Sequence, residues 1–197
     1  MKIGVLASQG AFAEHIAILK RLGAEAVAVR LPEDLQDIDG LIIPGGESTT
    51  ISKLMLAYKL SDEIRSLAKK GVPIWGTCAG MIMLADKLPG STVEPLGLMK
   101  IGVKRNAFGR QKESFETELS IPAMGKKPFP AVFIRAPAIE ECKDDIEVLA
   151  RLADGTIVAA RQGKLLASAF HPELTDDTRF HQYFLNMITE KKNNKKK

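Results

Sequence analysis

Apolar residues in the first half of the chain follow two alternating rhythms. The runs Lys2–Ala7, Ala26–Arg30, Gly40–Ile43 and Val72–Trp75 are short and dense in aliphatic residues, the mark of strands buried on both faces. Between them the period changes to that of a helix. Phe12, Ile16 and Leu19 recur at i, i+4 and i+7. Ser48 or Thr49 stands where it would cap a helix carrying Ile51, Leu54, Met55 and Tyr58, and a further helix is predicted over about Asp62–Lys70. Met81–Ala85 reads as the apolar start of another. Strands alternating with helices of this length imply βαβ units, hence a parallel sheet covered on both faces.

The second half is richer in strands, predicted at Met99–Lys104, Ser114–Ser120, Val132–Ile134, Ile146–Arg151, Ile157–Gln162 and Leu165–Ala169. A last helix follows Thr175, with Phe180, Phe184, Met187 and Ile188 on one face. There is no internal repeat and no long linker. The expected fold is α/β: a mostly parallel sheet flanked by helices, with a small antiparallel extension, forming one domain over residues 1–189. Residues 190–197 form a lysine-rich tail, expected to be disordered.

Composition narrows the class. The chain has 197 residues, 45% hydrophobic and 26% charged, the balance of a soluble globular domain. No apolar run approaches the roughly 20 residues of a membrane helix, and the N-terminal apolar stretch is too short for a signal peptide. Two cysteines, Cys78 and Cys142, make no disulfide framework, so a cytoplasmic location is expected. The net charge is +4, yet Lys191, Lys192, Lys195, Lys196 and Lys197 lie in the tail. Without those five the body stands at −1, which leaves no basic face for nucleic acid.

Chemistry concentrates at the ends of the predicted parallel strands, where such sheets bind ligands. Gly76-Thr77-Cys78-Ala79-Gly80 places a cysteine in a glycine-flanked turn between strand and helix, the cysteine form of a nucleophile elbow. The helix N-terminus favours thiolate there. The pentapeptide alone is equally compatible with a buried cysteine in a glycine-rich turn. A nucleophilic thiol gains from a basic partner, and three histidines are present. His15 and His181 lie within helices and read as structural or surface residues. His171 directly follows a strand and precedes Pro172 and Glu173. Pro172 favours an extended His171, so Glu173 would project beside the imidazole as the third member of a triad. Cys142 sits among Glu140, Glu141, Asp144 and Asp145, surroundings that discourage a thiolate.

Gly45-Gly46 reads either as a turn before a helix or as a backbone donor that would pair with the N–H following Cys78 in an oxyanion hole. Arg105 and Arg135 are candidates for holding a substrate carboxylate, although either alone reads equally as a surface arginine.

These segments, in this order, resemble the class I (triad) glutamine amidotransferases. They resemble most the family of glutaminase subunits of pyridoxal 5′-phosphate synthase, the PdxT family, over residues 2–189. The resemblance rests on Gln9-Gly10-Ala11, Pro44–Thr50, Gly76–Gly80, Arg105–Gln111, Phe133–Pro137 and Phe170–Leu174. Ser8 departs from the bulkier apolar residue expected before Gln-Gly. The resemblance implies a flavodoxin-like sheet and a Cys78–His171–Glu173 triad that hydrolyses L-glutamine through a glutamyl thioester. Gly46, Glu47, Ser48, Arg105, Ile134 and Arg135 would bind substrate, with Arg105 and Glu47 suited to its α-carboxylate and α-amino groups. Gly46 and Ala79 would form the oxyanion hole. No metal or cofactor is expected.

The motifs occupy the chain from residue 9 to residue 174, leaving no room for an ammonia-consuming domain. The implied partner is a (β/α)₈-barrel synthase subunit, a dodecameric core with glutaminase subunits docked outside, on which glutaminase activity depends. The glutaminase subunit of imidazole glycerol phosphate synthase is the alternative; Arg105–Gln111 and Phe133–Pro137 argue against it. A non-catalytic binding protein of the same fold and a cysteine peptidase are the remaining readings.

Overall fold

The computed structural model describes residues 1–109 and 113–193, with side chains to residue 190. Its strands, in chain order, are β1 (Lys2–Leu6), β2 (Glu25–Val29), β3 (Gly40–Ile43), β4 (Ile74–Thr77), β5 (Ala85–Lys87), β6 (Met99–Lys104), β7 (Ser114–Leu119), β8 (Phe129–Ile134), β9 (Ala138–Cys142), β10 (Glu147–Arg151), β11 (Ile157–Gln162) and β12 (Leu165–Ser168). The helices are α1 (Phe12–Arg21), α2 (Ser48–Ala57), α3 (Leu60–Lys69), α4 (Ala79–Leu84) and α5 (Arg179–Asn193).

The main sheet runs β2-β1-β3-β4-β12-β11-β9-β6-β5, with β10 added to β11. Its first five strands are all parallel, so five chain segments leave their carboxyl ends along one edge. From β12 onward β11, β9 and β6 pair antiparallel in the same sheet, while β7 and β8 form a separate antiparallel hairpin. The α/β fold with an antiparallel extension is thus present.

The strands of the parallel half are continuous apolar runs because both faces are covered: β3 and β4 are buried at every residue. Trp75 lies on one face under α5, stacked on Phe180 at 5.2 Å between ring centroids. Its neighbour Gly76 faces the other way, where α4 packs so close that a Cβ would overlap the Gly80 carbonyl.

Several details differ from the sequence reading. The cap of α2 is Glu47 rather than Ser48 or Thr49: its carboxylate accepts the N–H groups of Thr49 (3.0 Å) and Thr50 (2.7 Å). The longer side chain reaches both orphan amides at once. Strands β5 and β9 were not expected. In β9 Glu140 pairs with Lys104 and Glu141 with Lys87, each at 3.1 Å, so the acidic charges are met from outside the strand. Helix α5 continues past the expected boundary at residue 189 to Asn193. The rest of the lysine tail, and Arg110 and Gln111 of the Arg105–Gln111 motif, lie outside the described residues. Among those described, no helix is long and apolar enough to cross a membrane.

Candidate active site

A cavity of about 410 Å³ opens at the carboxyl edge of the parallel strands. Gln9 enters it after β1, Gly46, Glu47 and Ser48 after β3, Cys78 and Ala79 after β4, and His171 after β12. The antiparallel half closes the other side with Arg105 and Asn106 after β6, Ile134 at the end of β8, and Arg135 and Pro137 between β8 and β9. Every residue singled out in the sequence for substrate binding lines this cavity. Glu173 lies behind His171, out of it.

Cys78 sits in the elbow with φ 49° and ψ −107°, a conformation unusual for a residue with a side chain. Its N–H donates to the Ser168 carbonyl at 2.7 Å, which ties the turn to β12. The helix that follows is free to start at once because Gly80 has no Cβ; one would overlap the Ile43 carbonyl. The sulfur lies 3.9 Å from the Ile134 carbonyl, and Cys78 stands near enough to the His171 ring to raise its pKa.

His171 is fixed from three sides. Its backbone N–H donates to the Val132 carbonyl at 2.8 Å, its Nδ1 lies 2.7 Å from Glu173 Oε1, and its ring rests against Gly45. A Cβ on Gly45 would overlap His171 Cε1 and come within 3.2 Å of Cys78 Cβ. The missing side chain is therefore a condition for the Cys–His contact. The Gly45 N–H is already used, donating to Thr77 Oγ1 at 3.0 Å, so the neighbouring Gly46 amide is the one left to face a substrate.

Burial opposes protonation of His171, but hydrogen bonds and charge from Cys78 and Glu173 outweigh it and lift its pKa to about 10. Burial likewise opposes ionisation of Glu173. His15 and His171 overcome this and hold the carboxyl well below the usual carboxylate range. The pair is therefore an imidazolium–carboxylate at neutral pH.

Glu47 is committed locally: besides the two amides, Thr50 Oγ1 donates to it, and these bonds draw its pKa to about 2 despite some desolvation. An ionised Glu47 still lines the cavity, with its carboxylate oriented by the start of α2. Arg105 Nη1 donates to Ser91 Oγ at 3.3 Å, which steadies the guanidinium. Arg135 has φ 41° and its N–H donates to the Glu113 carbonyl at 2.6 Å, so this strained turn is pinned to the residue before β7. Cys142 is far from all this; partial burial pushes its thiol up, with Arg151 opposing. Among the described residues no group of three acidic, histidine or cysteine side chains is arranged to hold a metal.

Sequence reasoning missed the surroundings of Glu173. His15 and His181 are both fully buried, and His15 Nε2 lies 3.3 Å from Glu173 Oε2. Their contacts span more than 150 residues, and no local pattern announces them.

The chain is similar to known proteins over nearly its whole length. A solved glutamine amidotransferase structure superposes with a TM-score of 0.90 at 51% identity, covering 95% of this chain and 98% of that one. Pyridoxal 5′-phosphate synthase subunit PdxT of Dehalococcoides mccartyi (strain BAV1) is 61% identical over 189 residues, 95% of this chain and 97% of the relative. The protein of the same name from Herpetosiphon aurantiacus is 58% identical over 190 residues, 95% and 100% of the two chains. With residues 5–190 matching its family description, the chain belongs to the SNO glutamine amidotransferase family.

Proposed function

We propose that this chain hydrolyses L-glutamine to L-glutamate and ammonia, as the glutaminase subunit of a pyridoxal 5′-phosphate synthase. The observation that carries the chemistry is a cysteine held in a strained elbow, in contact with an imidazole that is itself paired to a buried carboxylate at 2.7 Å. The relatives' shared name carries the product's destination.

In this reading the Cys78 thiolate attacks the side-chain amide carbon of glutamine. The oxyanion takes hydrogen bonds from the N–H groups of Gly46 and Ala79, each worth about 10²–10³ in rate. His171 delivers its proton to the leaving nitrogen, ammonia departs, and a glutamyl thioester remains on Cys78. His171, now neutral, takes a proton from water as the water attacks the thioester carbonyl. The collapse releases glutamate and regenerates the thiolate–imidazolium pair. Glu173 holds the imidazole in the tautomer that presents Nε2 to sulfur. Arg105 faces the substrate α-carboxylate, Glu47 its ammonium, and the backbone at Ser48, Ile134 and Arg135 shapes the remaining wall.

Ammonia passes to a separate (β/α)₈-barrel synthase subunit, with glutaminase subunits docked around a dodecameric core in the cytoplasm. Turnover depends on that docking. The test is ammonia release from glutamine with and without the synthase subunit. Stimulated hydrolysis in the wild type, reduced by about 10³-fold or more in Cys78→Ala, is expected. Stimulated activity that survives the substitution sinks the mechanism. Stimulation by an imidazole glycerol phosphate synthase partner instead reassigns the chain.

A further inference from the structure

Behind the triad lies a second polar group that the reaction as written does not use. His15 on α1 and His181 on α5 meet at 2.9 Å, Nδ1 to Nε2, with no exposure to solvent. They are packed edge-on against Trp75 of β4 at 5.5 and 5.0 Å between ring centroids. His15 Nε2 then lies 3.3 Å from Glu173 Oε2, the carboxylate oxygen that His171 leaves free and that has no hydrogen-bond partner among the described residues. The same Nε2 lies 3.5 Å from Thr77 Oγ1, which accepts the Gly45 N–H. The cluster thus touches the catalytic loops from two directions while remaining outside the cavity.

The protons in this chain have one economical placement. If His181 Nε2–H donates to His15 Nδ1, then His15 carries its proton on Nε2 and directs it at the bare oxygen of Glu173. Only the His181 Nδ1 lone pair is then without a partner. The opposite direction turns a lone pair of His15 toward the carboxylate and strands a buried N–H on His181, a costlier arrangement. The charged and titratable groups facing the cluster are Glu173 and His171 from the loop after β12, and Arg21 at the end of α1. Burial above all holds His181 well below its ordinary pKa, with Glu173 opposing, consistent with a neutral donor.

Resting on the glutaminase reading above, we propose that His15 and His181 are positioning residues for the triad. His181 sets the tautomer of His15, and His15 keeps Glu173 ionised with its other oxygen aimed at His171.

The test uses the chain with its synthase subunit, in a Cys142→Ser background so that Cys78 is the one thiol. His15→Phe keeps a ring but removes the donor; His15→Gln returns an amide N–H at the same reach. Expected for His15→Phe is a fall in kcat of about tenfold or more with KM for glutamine within about twofold. The midpoint pH of Cys78 alkylation by iodoacetamide should rise by about one unit, because a weakened Glu173 no longer supports the imidazolium beside the sulfur. His15→Gln should recover most of both. An unchanged kcat and alkylation profile in folded His15→Phe overturns the proposal. So does a change in KM alone, or a His15→Gln as defective as His15→Phe. If His15→Phe does not fold, His181→Phe decides, since it keeps the ring beside Trp75: a lowered kcat with raised alkylation midpoint supports the proposal, and wild-type values overturn it. Alkylation needs no glutamine, so a wild type that releases no ammonia with its partner would overturn the functional reading alone.

Discussion

At the scale of single residues, the reactive pair is held by what is absent as much as by what is present. Gly45 leaves the space that the His171 ring occupies. Gly45→Ala should therefore cost catalysis far more than stability: a fall of about 10²-fold in kcat, from an imidazole displaced by a fraction of an ångström, in a chain that still melts cooperatively. Steady-state kinetics beside a thermal melt would check it. The His171–Glu173 pair also gives stability a pH signature. The His171 pKa is raised from 6.5, so its contribution is full below about pH 6.5 and disappears as pH climbs to about 10. The Glu173 pKa is depressed from 4.5, so its contribution is full above about pH 4.5 and is lost as pH falls below that. Both are complete together between about pH 4.5 and 6.5. Denaturant titrations across pH should show the wild type most favoured over Glu173→Gln in that window, with the gap closing on both sides. A difference that does not vary with pH would refute the pairing.

At the scale of elements, α5 acts as the clamp over the strand that leads to Cys78. Phe180 stacks on Trp75 and meets Phe129 and Phe170 at 5.7 and 5.3 Å, joining α5 to β4, β8 and the residue before His171. Phe180→Ala should destabilise by about 3–5 kcal/mol, measured by urea unfolding, and lower activity at temperatures where the wild type is unaffected. This helix was legible in the sequence because Phe180, Phe184, Met187 and Ile188 repeat at the helical period. The parallel strands were legible for a related reason, since burial on both faces leaves an unbroken apolar run. Strand β9 was hidden: only Ala138 and Ile139 are buried, and its acidic residues are matched by lysines on β6 and β5. The grouping of Cys78, His171 and Glu173 could be read because Cys78 stands in a short motif and His171 is two residues from Glu173. His15 and His181 could not, since their roles arise only where α1, α5 and the loop after β12 converge.

For the whole molecule, the cavity has one wall from the parallel half and one from the antiparallel half, so neither half holds a complete site. Trp75, the sole tryptophan, lies under that junction. Its fluorescence, the far-UV circular dichroism and the glutaminase activity with the synthase subunit should be lost in one coincident thermal transition. Activity lost well before the other two would place the junction among the weaker parts of the fold. The backbone at Cys78 has a last consequence for how the chain comes into being. Its dihedral angles are kept only by the surrounding sheet, by the Ser168 carbonyl and by α4 packed against Ile43. On the ribosome, before β12 and His171 have emerged, the same cysteine is an ordinary thiol in a relaxed peptide. Cys78 therefore meets His171 only after β12 has been made and has joined β4, so reactivity at residue 78 reports that this part of the sheet has closed.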